Sequence, residues 1–426
     1  MRKLAFAIAM ATPMVAGAQQ VVSSSRMAGT ADVLGASARG AEALAVNPAL
    51  LGAGDTGQWS IVTGAPLLSW RANPITMADI AKYGDKTLPD AVKQDWLSRV
   101  SSNGAQEAAA DLSATALAVS WHGIAASLSA VGGATSSLPR DGVAMLLYGN
   151  TNPDGTPAAR SFSDGSARGY GAALVTVGAG HRLGQVHWFG SNATLYGGAS
   201  VKAMVAGGYA EVWGLSGQTT TQPVSASLNF PTLKSHKSLT GVGMDLGFAA
   251  VSDAWTLSAA VSDLVNAFTL NASNAYVSPG SASVTQGGAT ASAPDIPANS
   301  SGIPAALASD AHQRVDDAQF ARTVRVDGSW RARPDLTLAA DVRAGAGGGL
   351  QRLAAFSAGI GAEWGWKPWL PLRAGVRSTR DGASGAIGAG LRAGLWELDG
   401  STGIESTPAG TAPVFGVSLS WGLAGH

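Results

Sequence analysis

The sequence predicts an all-β chain: an antiparallel transmembrane β-barrel closed by about 14 strands (12 at the low end), with an N-terminal plug segment and short helical inserts. Three observations lead there. Glycine supplies 56 of 426 residues and charged side chains only 13%, close to twice and about half the usual shares. Several segments alternate apolar and polar residues over the ~9–11 residues that cross a bilayer as a tilted strand. No stretch after the first twenty residues offers ~20 consecutive apolar side chains, so any membrane crossing falls to strands.

Residues 1–18 read as a secretory leader. Arg2 and Lys3 form a basic start, Leu4–Val15 is mostly apolar, and Ala16-Gly17-Ala18 is a cleavage pattern. Twelve residues of helix reach about 18 Å, short of a hydrocarbon core of about 30 Å. Residues 19–56 lack strand patterning and are rich in small side chains, as a segment packed inside a barrel would be. Residues 57–426 form the barrel. A helical insert is expected at 75–100, with a second start at Leu88-Pro89-Asp90, and another helical turn at Val143–Tyr148. Long polar loops are expected at 214–238 and 265–316. Short turns such as Arg333-Pro334-Asp335 and Ser252-Asp253-Ala254 lie between them, the asymmetry of outer-membrane barrels.

The two faces of the strands differ in kind. In Gly241–Val251, Val242, Met244, Leu246 and Phe248 share one side while Gly243, Asp245 and Gly247 share the other. Val414–Leu423 repeats this with Phe415, Val417, Leu419 and Trp421 against Gly416, Ser418 and Ser420. Across the chain the polar face carries Lys202, Asp245, Arg325, Asp327, Asp341, Arg343, Glu363, Arg373, Arg377 and Arg392, diluted by glycine. A solvent-facing sheet would favour lysine and glutamate; arginine with aspartate suits an enclosed polar lumen where guanidinium and carboxylate pair. Trp121, Trp255, Trp330 and Trp421 lie near strand ends, where aromatic girdles at both membrane interfaces are expected. Closure follows because an open sheet in lipid would leave two edges of unpaired N–H and C=O groups, each costing several kcal/mol.

Other chemistry finds little support. The absence of cysteine removes thiol catalysis, thiolate metal sites and disulfides. The repeats Gly241/Gly243/Gly247, Gly359/Gly361/Gly365 and Gly388/Gly390/Gly394 miss the dinucleotide spacing by one residue. Their even offsets put all three glycines on one side of a strand. The six histidines form no H-E-x-x-H pair, no G-x-S-x-G elbow occurs, and 28 basic residues balance 28 acidic ones, so no metal, cofactor, catalytic site or nucleic acid is expected.

Gly29–Gly54 contains Asn47-Pro48-Ala49 after a run of small residues. It resembles the N-terminal element of the FadL-type long-chain fatty-acid transporters and of PorV-like barrels. Arg39-Gly40-Ala41-Glu42-Ala43, the insert Ile75–Val100, Gly149-Asn150 and the strand Gly241–Gly247 are similar to one uncharacterised branch of those proteins. The resemblance implies a 14-stranded barrel, a plug that includes Asn47, Pro48 and Ala49, and lateral passage of hydrophobic molecules into the membrane. The Ala-rich wall and the long Ser/Ala loop at 265–316 depart from the transporters. The function expected is therefore a channel for small hydrophobic molecules in the outer membrane of a diderm bacterium, not an enzyme. The alternative is a non-transporting barrel that scaffolds a secretion or surface partner. Expected partners are outer-membrane lipid, a hydrophobic ligand and, during biogenesis, the barrel-assembly machinery.

Overall fold

The computed structural model describes residues 24–422 except 55–58, 65–66, 84–85, 267–269, 319, 347–355, 381 and 408. The expected leader at 1–18 lies outside the described residues. Of the structure, 64% is strand and 17% helix, and its centre is a closed antiparallel barrel of 14 strands; among the described residues no helix is long and apolar enough to cross a membrane.

The first wall strand is made in two pieces, β1 (Ser60–Gly64) and β2 (Leu67–Asn73). It is followed around the wall by β3 (Ala105–Trp121), β4 (Ile124–Pro139), β5 (Arg160–Trp188) and β6 (Ser191–Thr221). Outside the wall, β7 (Val224–Ser235) folds back on the upper part of β6. The wall resumes with β8 (Gly241–Val251) and β9 (Trp255–Asn266). Then β10 (Ala275–Thr285), β11 (Gly288–Ser292) and β12 (Ile296–Pro297) add to the β7 sheet above it. The remaining wall is β13 (Arg322–Arg333), β14 (Leu336–Ala346), β15 (Phe356–Lys367), β16 (Leu370–Thr379), β17 (Gly382–Ala393), β18 (Trp396–Thr407) and β19 (Gly410–Trp421). Closure is made where Ile61–Gly64 of β1 run antiparallel to Trp421–Ser418 of β19, while β2 meets β19 at the single pair Leu68–Phe415.

Alternation places the lipid-side residues where the period-two pattern puts them. Phe248, Ile360, Val376, Ile387 and Phe415 are 56–64% exposed, which in water would be a large apolar surface and in a bilayer is the matching one. Most of the 13 tryptophans gather at one end only, around the short turns. Trp59 stacks on Trp121 at 5.2 Å and Trp188 meets Trp255 edge-on at 6.1 Å. The expectation of a girdle at both interfaces is thus met at the short-turn end alone.

The other end differs from the sequence reading in two places. The stretch 214–238, expected as a loop, is strand: β6 runs on to Thr221 and turns into β7, with Thr221 opposite Val224. Serine, threonine and alanine there alternate without a buried apolar face, so periodicity carries no signal although the backbone pairs. The stretch 265–316 is likewise not a bare loop. It holds β10–β12 and a helix. Among the described residues the α-helices are α1 (Ser25–Ala28), α2 (Ala43–Val46), α3 (Met77–Tyr83), α4 (Asp90–Asn103), α5 (Arg140–Tyr148) and α6 (Ala305–Asp317). Helices α3, α4 and α5 pack together through Ile75, Trp96, Val100 and Val143 at the same end.

Candidate functional site: the filled barrel interior

Ser24–Gly54 runs through the barrel as short helical turns linked by extended residues, and Val33, Leu34, Ala36, Ala38, Ala41 and Leu50 in it are 0% exposed. The wall accommodates this backbone with glycine. A Cβ built on Gly198 would lie 2.4 Å from the Ala49 nitrogen, on Gly180 2.4 Å from the Pro48 carbonyl oxygen, and on Gly375 2.2 Å from the Thr30 carbonyl oxygen. The same holds in all three glycine repeats: Gly247 faces Asn47, Gly359 faces Val33 and Gly388 faces the Gly29 backbone. Those glycines therefore make room for chain, not for phosphate. Gly394 belongs to a turn at φ +61 and does not share the face of Gly388.

Asn47 fixes the segment to the wall. Its Nδ2 donates to the carbonyls of Phe248 on β8 (3.0 Å) and Ala259 on β9 (3.1 Å), and its Oδ1 accepts from the Ala49 N–H (2.9 Å). Pro48 at the first position of the Pro48–Leu51 turn has no N–H to leave unpaired, and it holds Asn47 extended at φ −160, ψ 110. Ala49 is fully buried beside them.

The charged residues of the polar face all turn inward and are assembled in three groups. In the first, Arg373 (0% exposed) meets Glu363 (Nε to Oε2, 2.6 Å), Glu397 (NH2 to Oε1, 2.6 Å) and Asp399; Arg392 adds a bond to Glu397 at 2.9 Å. Arg26 from α1 enters this group, 3.1 Å from Glu363 and 3.0 Å from its own neighbour Glu42. In the second, Asp341 collects Arg343 at 2.8 Å and Arg377 at 2.9 Å, and Arg325 binds Asp327 at 2.5 Å. The guanidiniums of Arg325 and Arg343 also donate to the Asp32 carbonyl (2.8 and 2.6 Å), and Arg377 to that of Ala31 (3.0 Å). In the third, Lys202 lies between Asp245 (2.7 Å) and Asp263 (2.8 Å). Asp263, Asp399 and Glu397 carry no signal in the sequence, and Glu42 enters there only within the motif at 39–43, not as a partner of Arg26. Asp263 sits at a bulge with φ +56, and periodicity fails at a bulge.

These groups are buried: Lys202, Arg325, Asp327, Asp341, Arg373 and Arg377 are at most 9% exposed. Charges removed from water this far are stable only when paired and hydrogen-bonded, and here the pairing includes the backbone of Ser24–Gly54.

The upper interior on the β4–β7 side is apolar, which the sequence reading missed. Val131, Tyr170, Leu174, Met204, Tyr209 and Trp213 point into it, joined from above by Leu233, Leu270, Ile303 and Phe320. Tyr170 meets Phe320 edge-on at 6.2 Å. Residues of β7 and of 265–316 complete this cluster, and neither segment carries an alternating pattern that announces an inward face. Helix α6 covers it. Among the described residues no group of three metal-ligating side chains occurs.

Solved structures with this architecture are known. The toluene transporter TbuX of Ralstonia pickettii aligns over 96% of this chain and 99% of its own, with a TM-score of 0.53 and 13% identity. The monoaromatic hydrocarbon channel CymD aligns over 96% and 99%, with a TM-score of 0.51 and 11% identity. For the toluene transporter TodX of Pseudomonas putida the values are 96%, 100%, 0.50 and 10%. No family model matches the sequence, and no curated protein matches it as a relative. At these identities the common property is the fold, a closed 14-stranded antiparallel barrel.

Proposed function

We propose that the chain is an outer-membrane channel for small hydrophobic molecules, with Ser24–Gly54 acting as its plug and residues 1–18 as a leader removed on export. The observation that carries this reading is the apolar cluster inside the upper barrel, standing above a floor of paired charges. A structural core could lie anywhere in the interior. One confined to the long-loop end gives a greasy solute a place to leave water. The fold neighbours named as toluene and monoaromatic hydrocarbon transporters point the same way. Short turns with their tryptophans then face the periplasm and β7, β10 and β11 face outward, following the usual asymmetry of such barrels. Lipid is the partner of the wall, and the assembly machinery for outer-membrane barrels inserts it. Asn47, Pro48 and Ala49 belong to the plug, and of the ten charged wall residues Arg325, Arg343, Glu363 and Arg377 hold it directly; the reading contains no catalytic step.

The test is uptake of radiolabelled toluene by intact diderm cells lacking hydrocarbon channels of their own. Expression of the protein is expected to raise the initial rate several-fold, because the lipopolysaccharide leaflet slows unassisted passage. A rate equal to that of cells with empty vector removes the reading. A scaffold role is favoured by one feature, the sheet of β7, β10 and β11 standing above the wall. Recovery of a stoichiometric protein partner together with unchanged uptake would select it.

A further inference from the structure

At the short-turn end one flank of the wall is open. β4 begins at Ile124, and Ala179 of β5 stands opposite it. Beside that pair the Gly180 N–H donates to the Gly123 carbonyl at 2.8 Å. β5 nevertheless continues to Trp188, roughly 30 Å of chain past Ala179 at ~3.3 Å per residue. Over that length its partner among the described residues is β6 alone, from Arg182 opposite Tyr196 to Trp188 opposite Ser191. Hydrocarbon does not tolerate a strand edge of unpaired N–H and C=O groups, so this edge lies outside the bilayer core. A bulge interrupts the β6 ladder between Arg182 and Gly184, but 184–188 pairs regularly. Neither lysine nor proline, the usual guards of an exposed edge, occurs at 181–188.

A second observation lies where β4 stops. A small cavity there has Arg39, Ser60, Ser120, Trp121, His122 and Gly123 in its lining. Arg39 NH1 donates to the carbonyls of Ala36 (3.0 Å) and Ala38 (2.8 Å), and NH2 donates to the Thr256 hydroxyl (3.2 Å). Those bonds use three of the five guanidinium donors. Arg26, Arg325, Arg343, Arg373, Arg377 and Arg392 each meet an acid. Arg39 meets none among the described residues, and Arg26 and Arg331 add charge of its own sign. Gly40 beside it has φ +56, and a Cβ there would lie 2.5 Å from the Ser60 hydroxyl oxygen, so the Arg-Gly pair is what lets the guanidinium reach this corner.

We propose that the corner receives the C-terminal strand of a periplasmic protein: the strand adds to the free edge of β5, antiparallel to it, and its terminal carboxylate pairs with Arg39. The direction follows from β4. An added strand takes the place a longer β4 would fill and runs the way β4 runs, so its last residue arrives at Gly123, which lines the cavity and accepts from Gly180. Backbone pairing supplies adhesion, and the carboxylate fixes register through a charge-assisted bond. Residues 171–200 hold no acid, while His181, Arg182 and His187 lie on the overhanging segment, so acidic side chains on the incoming strand complement it. The inference goes beyond the channel reading and takes from it only which end faces the periplasm; passage of a solute has no part in it.

Fluorescence anisotropy on the whole protein in nanodiscs tests this with a labelled octapeptide that alternates Glu with Val and ends in a free carboxylate. Saturable binding is expected, and the amidated peptide is expected to bind about tenfold more weakly or worse. A peptide with proline at alternate positions should not bind, because it cannot complete the ladder. Arg39→Gln is expected to bind acid and amide alike, at the wild-type affinity for the amide. Arg182→Gln, a change on the exposed overhang, should weaken the Glu peptide and keep the acid-to-amide ratio. Where Arg39→Gln does not fold, that ratio in the wild type and in Arg182→Gln decides. No saturable binding, equal binding of acid and amide by the wild type, or equal binding of the proline peptide would each overturn the assignment. Asp55→Asn, or removal of residues 423–426, should leave the affinity unchanged; a tightening of about tenfold in either would put this chain's own residues on Arg39 and overturn it. A dimer dispersed by the same peptide would give the edge to a second copy of the chain, with the same consequence.

Discussion

Asn47 ties two distant parts of the chain together with one amide. Its wall partners, the Phe248 and Ala259 carbonyls, lie about 200 residues away in sequence, so the Asn-Pro-Ala motif is visible in the sequence but its attachment is not. Asn47→Ala is expected to lower stability by about 1–3 kcal/mol, through lost buried hydrogen bonds and a lost cap. A fall in the thermal midpoint in detergent, with the strand signal in circular dichroism retained, is the check. Arg373 presents the opposite case. Its alternating position marks it as inward, but no local pattern shows that it satisfies three carboxylates. Arg373→Met is expected to cost about 3–5 kcal/mol, because Glu363, Glu397 and Asp399 remain buried with fewer counter-charges. An unchanged midpoint would show those carboxylates to be solvated. Glycine gives a third residue-scale prediction. Gly375→Val places a side chain where the Thr30 carbonyl lies and is expected to unseat the plug. Stepwise KCl conductance should then appear in planar bilayers, whereas Gly184→Ala, which has open space around it, should remain as silent as the wild type.

Among the elements, legibility follows how strongly one face is distinguished from the other. β8 alternates cleanly, with apolar residues on its outward side and Asp245 among small residues on the other, and the range Gly241–Val251 read from that pattern is the strand itself. β7, β10 and β11 lie above the wall and are rich in Ser, Thr, Ala and Gly, with only a few large apolar residues such as Leu233 and Val277 turned to the cluster. Backbone pairing defines them, and pairing leaves no trace in composition. The helical insert was readable from its spacing and its Pro-Asp start. Its internal fastening was not. Arg99 of α4 donates to the Pro74 carbonyl and to Asp79 of α3, both near 3 Å. The Arg99 hydrogen bond, ahead of those from Thr76, holds the Asp79 carboxyl down at about 2. A depressed carboxylate contributes above its ordinary value of 3.8 and loses that contribution as pH falls through 2. The pair is well solvated, so the effect is small, within about 1 kcal/mol. Amide exchange in Met77–Tyr83, corrected for its intrinsic pH dependence, is expected to lose protection between pH 4 and about 2, and an Asp79→Asn protein should show no such loss.

For the molecule as a whole, closure was deducible from the cost of open edges, and the number 14 from an even count of candidate strands. What could not be deduced was how the ring closes. β1 and β19 share a ladder at the tryptophan end, but higher up β2 and β19 share one pair, and Arg71 reaches across to Glu405 of β18 at 2.9 Å. Nothing local in either terminal strand encodes that arrangement. The exposed apolar wall leads to a plain expectation: the polypeptide should require detergent or lipid to remain folded and dispersed. Migration on unheated gels should differ from that of the boiled sample. A monodisperse folded form in plain buffer would contradict the barrel's membrane exterior.

The rim of the barrel is uneven. β5 and β6 run for 29 and 31 residues, whereas β16 has 10 and turns into β17 where Thr379 pairs with Gly382. At ~3.3 Å per residue the tall hairpin approaches 100 Å along the chain, several times what the hydrocarbon layer needs. Around β16 to β19 the parapet ends close to the membrane. On the channel reading proposed above, a hydrophobic solute arriving along the outer leaflet would step over the low side and meet the tall blade as a backstop.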